Sequence, residues 1–177
     1  MPSGKIHDAV TFFLVAPTFA ATWKFTESPP LAAIVTVAFL FGGLMFGPDL
    51  DTRSTQYTRW SFFRFLWYPY QAFFAHRSRW SHGLIFGTLI RVVYFCGAVT
   101  LFCAVVFYFA AMLRHAAPPS INQVRELWEA AGFWTRVNVG NYGLAAIFLG
   151  LWLGAASHTF TDLAGTFLKT GKVKEFL

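Results

Sequence analysis

The segment Gly47-Pro48-Asp49-Leu50-Asp51 places two carboxylates one residue apart where an apolar run ends, and His158 and Asp162 stand four apart near the end of another. Imidazole nitrogen and carboxylate oxygen are the usual protein ligands of divalent first-row metals. An i, i+4 pair on a helix puts both side chains on one face, where they can chelate one ion together. Asp49 and Asp51 follow Pro48 in a non-helical turn, so one can ligate while the other bridges to a second ion or orients a histidine. His7 and Asp8 at the start of the first apolar run, and His76 and His82 before the third, bring the set to eight. A lone interfacial histidine is more often a hydrogen-bonded cap, and Pro-Asp-Leu-Asp alone is an ordinary turn. Neither reading accounts for four of the five histidines and four of the eight acids gathering at four separate helix ends. Only His115 falls at the opposite ends.

The elements that must position these groups read as membrane helices. Of 177 residues, 56% are hydrophobic, 20% aromatic and 12% charged, with a mean hydropathy of +0.49, outside the balance of a soluble domain. The pattern predicts an all-α integral membrane bundle of about four helices, forming a single membrane-embedded domain over residues 1–177. The first run, 9–23, is short and contains Pro17, so it spans only if extended through its polar ends, or else is re-entrant. It is read as a retained helix, since no small-residue cleavage site follows it at a suitable distance. The second run is 31–46, after Pro29-Pro30. The third, 82–113, has Ser81 as N-cap and Arg91 snorkelling to the interface. The fourth, 142–157, carries Gly150, Gly154 and Ala155 for close helix packing. Cys96 and Cys103, seven apart on one helical face, read as small buried hydrophobes and not as a disulfide.

Between the second and third runs, 49–81 interleaves Arg59, Arg64, Arg77 and Arg79 with Trp60, Phe62, Phe63, Phe65, Trp67 and Trp80. Such a mixture suits a connector lying in the headgroup layer. Between the third and fourth, a short amphipathic helix is expected, with Ser120 and Gln123 as a capping box and Gly132 as its stop. The net charge of +6 sits beside apolar runs, which points to anionic lipid and away from nucleic acid. With four up-and-down spans, the side bearing the His/Asp set also carries Lys5, Arg53, Arg59, Arg64, Arg77, Arg79, Lys169, Lys172 and Lys174. The other side has Lys24, Arg114, Arg125 and Arg136, offset by Glu27, Glu126 and Glu129. The positive-inside tendency then makes the first side, with both termini, cytoplasmic in a bacterial inner or thylakoid-type membrane.

The ordered set of an early His-Asp, then Gly-Pro-Asp-Leu-Asp, then His-Arg-Ser-Arg-Trp-Ser-His-Gly, then Ser-His-Thr-Phe-Thr-Asp resembles a bacterial family of small metal-binding integral membrane proteins. In sparser form it is similar to the membrane-bound metal-dependent hydrolase family of the YdjM type. Carried over by position, the resemblance implies metal ligands among His7, Asp49, Asp51, His76, His82, His158 and Asp162, holding one or two ions. Ser78, Ser81 and Gly83 depart from the hydrolase pattern without touching those ligands.

A mixed N/O set favours zinc, manganese or iron. If the protein is an enzyme, a phosphoester or acyl ester of a lipid-like substrate is the expected target. Asp8 or Asp51 would handle the proton, and Arg77 would clamp the anion. The alternative is a non-catalytic metal site that staples helix ends, senses metal or serves as an accessory subunit of a larger membrane complex. Transport would require polar groups continuing through the bilayer, and the spans offer only Arg91 with scattered Thr and Ser.

Overall fold

The computed structural model of the chain describes residues 2–76, 78–84 and 86–171. Those residues form eight α-helices and two short 3-10 segments, with no strand among them. The all-α expectation holds. The helices are α1 (Gly4–Thr26), α2 (Pro29–Leu44), α3 (Thr55–Thr58), α4 (Tyr68–Phe73), α5 (Arg79–His82), α6 (Phe86–Leu113), α7 (Ile121–Val139) and α8 (Gly143–Thr170). The 3-10 segments are Pro48–Asp51 and Ser61–Trp67.

Helix α2 is the centre of the bundle and packs against α8 on one side and α1 on the other. It starts where Ser28 Oγ accepts from the Leu31 N–H and Pro29-Pro30 occupy the first turn, in which amide donors are unpaired anyway. Its seam with α8 is made by glycine. A Cβ at Gly150 would lie 2.4 Å from the Val35 carbonyl oxygen, and one at Gly154 would lie 2.2 Å from that of Phe39. The two backbones therefore meet with no side chain between them, as the small residues of the fourth run predict.

Three helices are long and apolar enough to cross a membrane, with candidate spans Pro29–Asp51, Phe86–Leu113 and Gly143–Lys169. The expectation of about four is not met, because α1 is not among them. It has the length, but Lys5, Asp8 and Lys24 with Thr11, Thr18 and Thr22 dilute its apolar stretch. It still turns Phe12 and Phe13 outward.

Several boundaries differ from expectation for local reasons. Helix α8 does not stop at Ser157: the hydroxyls of Ser157, Thr159 and Thr161 donate back to the carbonyls of Gly154, Ala155 and Ser157, so these polar groups are satisfied within the helix and the Ser-His-Thr-Phe-Thr-Asp segment continues it. The helix ends only at Gly171, in a left-handed conformation at φ 64°. Helix α6 begins at Phe86, and Ser81 and His82 belong to the separate single turn α5 rather than to its first turn. The capping box of α7 is present, with the Ser120 N–H donating to Gln123 Oε1 at 2.8 Å. Yet α7 runs through Gly132 to Gly140. A mid-helix glycine costs only about 1 kcal/mol relative to alanine, too little to end a capped helix.

The 49–81 connector is more than a surface layer. Phe46, Leu50, Tyr57, Trp67 and Tyr70 form a buried hydrophobic cluster, with Trp67 stacked on Phe95 of α6 at 5.7 Å and 9°. Phe62, Phe73 and Trp80 remain exposed. The connector is thus a folded cap over one end of the bundle, and its inner face props up the turn that carries Asp49 and Asp51. Cys96 is half-buried, and Cys103 is exposed rather than buried; both are free thiols.

Candidate metal centre

All eight residues expected at one end of the bundle are found there. The first turns of α1 supply His7 and Asp8, the 3-10 turn after α2 supplies Asp49 and Asp51, α5 and the loop before it supply His82 and His76, and α8 supplies His158 and Asp162. Arg77 lies outside the described residues. His115 lies beyond the far end of α6.

The ligand-type side chains make two groups. In the first, His7, His158 and Asp162 are all buried and offer donor atoms within 4.8 Å of one another. The rings of His7 and His158 are stacked, with centroids 3.8 Å apart and planes 12° apart. Asp162 Oδ1 is 3.4 Å from His7 Nε2, and Oδ2 is 3.9 Å from His158 Nε2. In the second, Asp49, His76 and His82 meet the same limit.

Asp49 belongs to both neighbourhoods. Its Oδ2 is 3.3 Å from His158 Nε2 and its Oδ1 is 3.4 Å from His82 Nε2. The 3-10 turn produces this placement: Pro48 starts it, and Gln56 fixes it by accepting the Asp49 N–H on Oε1 at 3.2 Å. Asp51, on the same turn, faces the other edge of the second group. Its Oδ1 is 2.8 Å from His76 Nδ1 and its Oδ2 is 3.3 Å from His82 Nδ1. Both imidazoles are thus oriented through Nδ1, with Nε2 of His82 turned to Asp49. Burial opposes ionisation of His82, but the negative charge of the adjacent Asp49 and Asp51 carboxylates outweighs burial and holds its pKa above the ordinary histidine value.

Asp8 is set apart from both groups. Arg59 grips it bidentately, at 3.0 Å and 2.5 Å, while also donating to the Leu44 carbonyl at 2.7 Å. This pair borders a cavity of about 150 Å³ whose lining also includes His7, Asp49, Gln56, His158 and Asp162. The first group therefore opens onto space that a small molecule can enter.

The residues fit a bound divalent ion by two observations. Ligands held at about 2.0–2.2 Å around one tetrahedral ion stand about 3.4 Å from each other, which is the spacing of the His7–Asp162, His82–Asp49 and His158–Asp49 contacts and longer than a charge-assisted hydrogen bond. In addition, Asp49 Oδ1, Asp162 Oδ1, His158 Nε2 and His7 Nδ1 are buried with no hydrogen-bond partner. Buried polar atoms left this way are costly unless something else satisfies them. One adjustment is required. Gln56 Nε2 donates to the Gly43 carbonyl at 2.8 Å and lies 3.2 Å from His158 Nδ1. Its second amide hydrogen faces Nδ1, so the neutral ring carries its proton on Nε2, and an ion at Nε2 must displace it.

Sequence reasoning missed Gln56 and Arg91 as members of this end, and it placed Arg59 on this side without seeing that it grips Asp8. Gln56 and Arg59 sit in a stretch where cations, aromatics and small polar residues are interleaved, and nothing in spacing separates a buried amide from a surface one. Arg91 was legible as an oddity, a charge inside an apolar run. It does not snorkel: it is 1% exposed and donates inward, to the Ser81 carbonyl at 2.5 Å and Thr88 Oγ1 at 3.1 Å.

Residues 2–172 match the model of a family described as "Uncharacterized metal-binding protein (DUF2227)". A protein of Aquifex aeolicus (strain VF5), described as an uncharacterized protein, is 37% identical over 59 residues, which is 33% of this chain and 41% of the relative. No solved structure matches significantly.

Proposed function

This chain belongs to the metal-binding family DUF2227, and from that premise we propose that it is an integral membrane protein with a two-metal hydrolytic centre bridged by Asp49. The observation that carries the reading is the Asp49 carboxylate, which turns one oxygen to each of two His/Asp groups. One ion would be held by His7, His158 and Asp162, the other by His76 and His82, with Asp51 holding both of the latter rings by Nδ1. Zinc, manganese and iron all suit this donor set.

When bound, a divalent metal pair lowers the pKa of water and offsets negative charge developing on an ester. The chain's own residues then have defined tasks. Arg59, fixed by Asp8 at the cavity edge, offers an anion-binding guanidinium in addition to the one expected of Arg77 and favours a phosphoester with a lipid-like remainder. Asp8 keeps the guanidinium aimed and accepts a proton at Oδ1 or Oδ2 when substrate draws Arg59 away. Asp51, with one oxygen toward each of His76 and His82, orients the two rings. The cations near this end support a cytoplasmic face by the positive-inside tendency.

A second reading has its own support. The groups come from α1, α8, α5 and a 3-10 turn, so bound metal would also staple four elements together, with no chemistry required.

Elemental analysis of detergent-purified protein tests the metal. About two ions per chain are expected, and near none in the double variant His82→Ala, His158→Ala; near-zero metal in both proteins would overturn the reading. Bis(p-nitrophenyl) phosphate with the metal-loaded protein in mixed micelles separates enzyme from staple. Turnover lost in Arg59→Gln with both ions retained supports hydrolysis, and no turnover with a metal-dependent rise in thermal midpoint supports the staple.

A further inference from the structure

Among the buried groups that the proposed chemistry leaves idle, the best-connected is Arg91. It lies inside the apolar helix α6, where a cation is costly unless its donors are satisfied. Its partners are specific. One terminal nitrogen donates to the carbonyl of Ser81 and the other to Thr88 Oγ1. Ser81 is itself fully buried, and it immediately precedes His82 on the single turn α5. Its hydroxyl is 3.1 Å from His82 Nδ1 and 3.1 Å from Ser78 Oγ. A four-residue turn cannot hold its own carbonyls, so the charge-assisted bond from Arg91 supplies what the turn lacks.

A second observation points the same way. A Cβ on Gly87 would lie 2.8 Å from the Ser81 carbonyl oxygen and 3.5 Å from an Arg91 terminal nitrogen. The absence of a side chain at Gly87 lets α5 sit directly on α6, within reach of the guanidinium. On the α8 side, Trp152 Nε1 donates to the Leu84 carbonyl at 2.6 Å, tying the next residues of the same loop. Two side chains from two long helices, Arg91 of α6 and Trp152 of α8, thus converge on the few residues around His82, and Gly87 leaves them the room.

We propose that Arg91 is a positioning residue for the second of the two metal groups: through the Ser81 carbonyl, and with Gly87 leaving the space, it fixes α5 so that His82 Nε2 meets Asp49. The inference rests on the two-metal reading and concerns one group only, since His7, His158 and Asp162 lie on α1 and α8. Arg91 touches neither the cavity nor any proposed ligand directly.

The test loads detergent-purified protein with Zn²⁺, removes loose metal on a chelating resin, and counts ions per chain. Wild type at two, Arg91→Gln at one, and Arg91→Lys between them with at least tenfold weaker binding of the second ion are expected. Gly87→Ala, which keeps the guanidinium but displaces the carbonyl, should also lose one ion, and it decides the matter if Arg91→Gln does not fold. A merely structural role would lower the thermal midpoint of the metal-free protein and remove both ions together. Two ions bound by Arg91→Gln with unchanged affinity, or both lost from folded Arg91→Gln, overturns the inference and leaves the two-metal reading standing. Wild type with fewer than two ions overturns that reading, and the inference with it.

Discussion

Asp51 Oδ2 lies 3.3 Å from Nδ1 of His82, while the Asp51 side chain is closed to solvent. A buried carboxylate on the outer nitrogen of an imidazole fixes both the tautomer and the ring plane, leaving Nε2 as the lone-pair donor. Asp51 does the same for His76, at 2.8 Å. Asp51→Asn keeps the shape but offers only one carbonyl oxygen to two N–H groups. Metal affinity at this group should fall about 10–100-fold, the usual cost of removing such a partner. Competition with a chromophoric chelator measures it, and an unchanged affinity would show that Asp51 is structural only.

His158 faces the opposite constraint. Gln56 is held by the Gly43 carbonyl and the Asp49 N–H, and it turns an amide hydrogen to His158 Nδ1. Metal at Nε2 should therefore drive the proton to Nδ1 and rotate the Gln56 amide. Nitrogen-15 NMR of selectively labelled histidine reads the tautomer directly, and a shift from the Nε2–H to the Nδ1–H form on adding Zn²⁺ is expected. Gln56→Glu supplies an acceptor for Nδ1–H and should tighten binding at this group severalfold. Weaker binding in that variant, with no tautomer change in wild type, would place the ion elsewhere.

The clustering of the His/Asp side chains at one end was legible because long apolar helices sort polar residues to their ends, so one-dimensional hydropathy already groups His7, Asp49, Asp51, His82 and His158. The division of these residues into two groups was not legible. It depends on the 3-10 turn aiming the two Asp49 oxygens in different directions, and that turn is set by Gln56, a residue with no pattern around it. The count of four spans is not confirmed because α1, a helix of adequate length, is not among the three apolar enough to cross a membrane. The buried role of Arg91 was hidden for a related reason. Snorkelling is the default for a lone cation in an apolar helix, and only the fold reveals that α5 brings a carbonyl to it.

The metal-free protein should respond to pH through His82. Its folded pKa lies above the ordinary histidine value of 6.5, because two carboxylates outweigh burial. A raised folded pKa contributes stability that is fully present below the unfolded pKa and is lost as pH rises through the folded value. The apo thermal midpoint should therefore decline from about pH 6 upward through that value. Metal requires the neutral ring, so the stabilisation by added Zn²⁺ should grow over the same interval. Calorimetry or dye-monitored melting across pH 5.5–9, with and without metal, checks both slopes. An apo midpoint that rises through this window, or metal stabilisation that shrinks, would contradict the His82 assignment.

The α2–α8 seam gives the last prediction, because it couples packing to the first metal group. A Cβ at Gly154 would meet the Phe39 carbonyl oxygen at 2.2 Å and the Gly43 amide nitrogen at 2.6 Å, both backbone atoms with little room to yield. Gly154→Ala must push the helices apart, at a cost of about 1–3 kcal/mol for overpacking. His158 lies one helical turn further along α8, and its partner Gln56 is anchored on the Gly43 carbonyl of α2. A displacement at Gly154 should therefore reach His158 before it reaches His82, which hangs from α6. The expected result is a lower thermal midpoint together with weaker binding of one ion, while the Asp49–His76–His82 group keeps its own. Gly132→Ala on α7, where an added Cβ meets nothing within 4 Å, should leave metal content unchanged and raise helix stability by up to about 1 kcal/mol. Equal loss of metal in both variants would mean that the seam does not position the site.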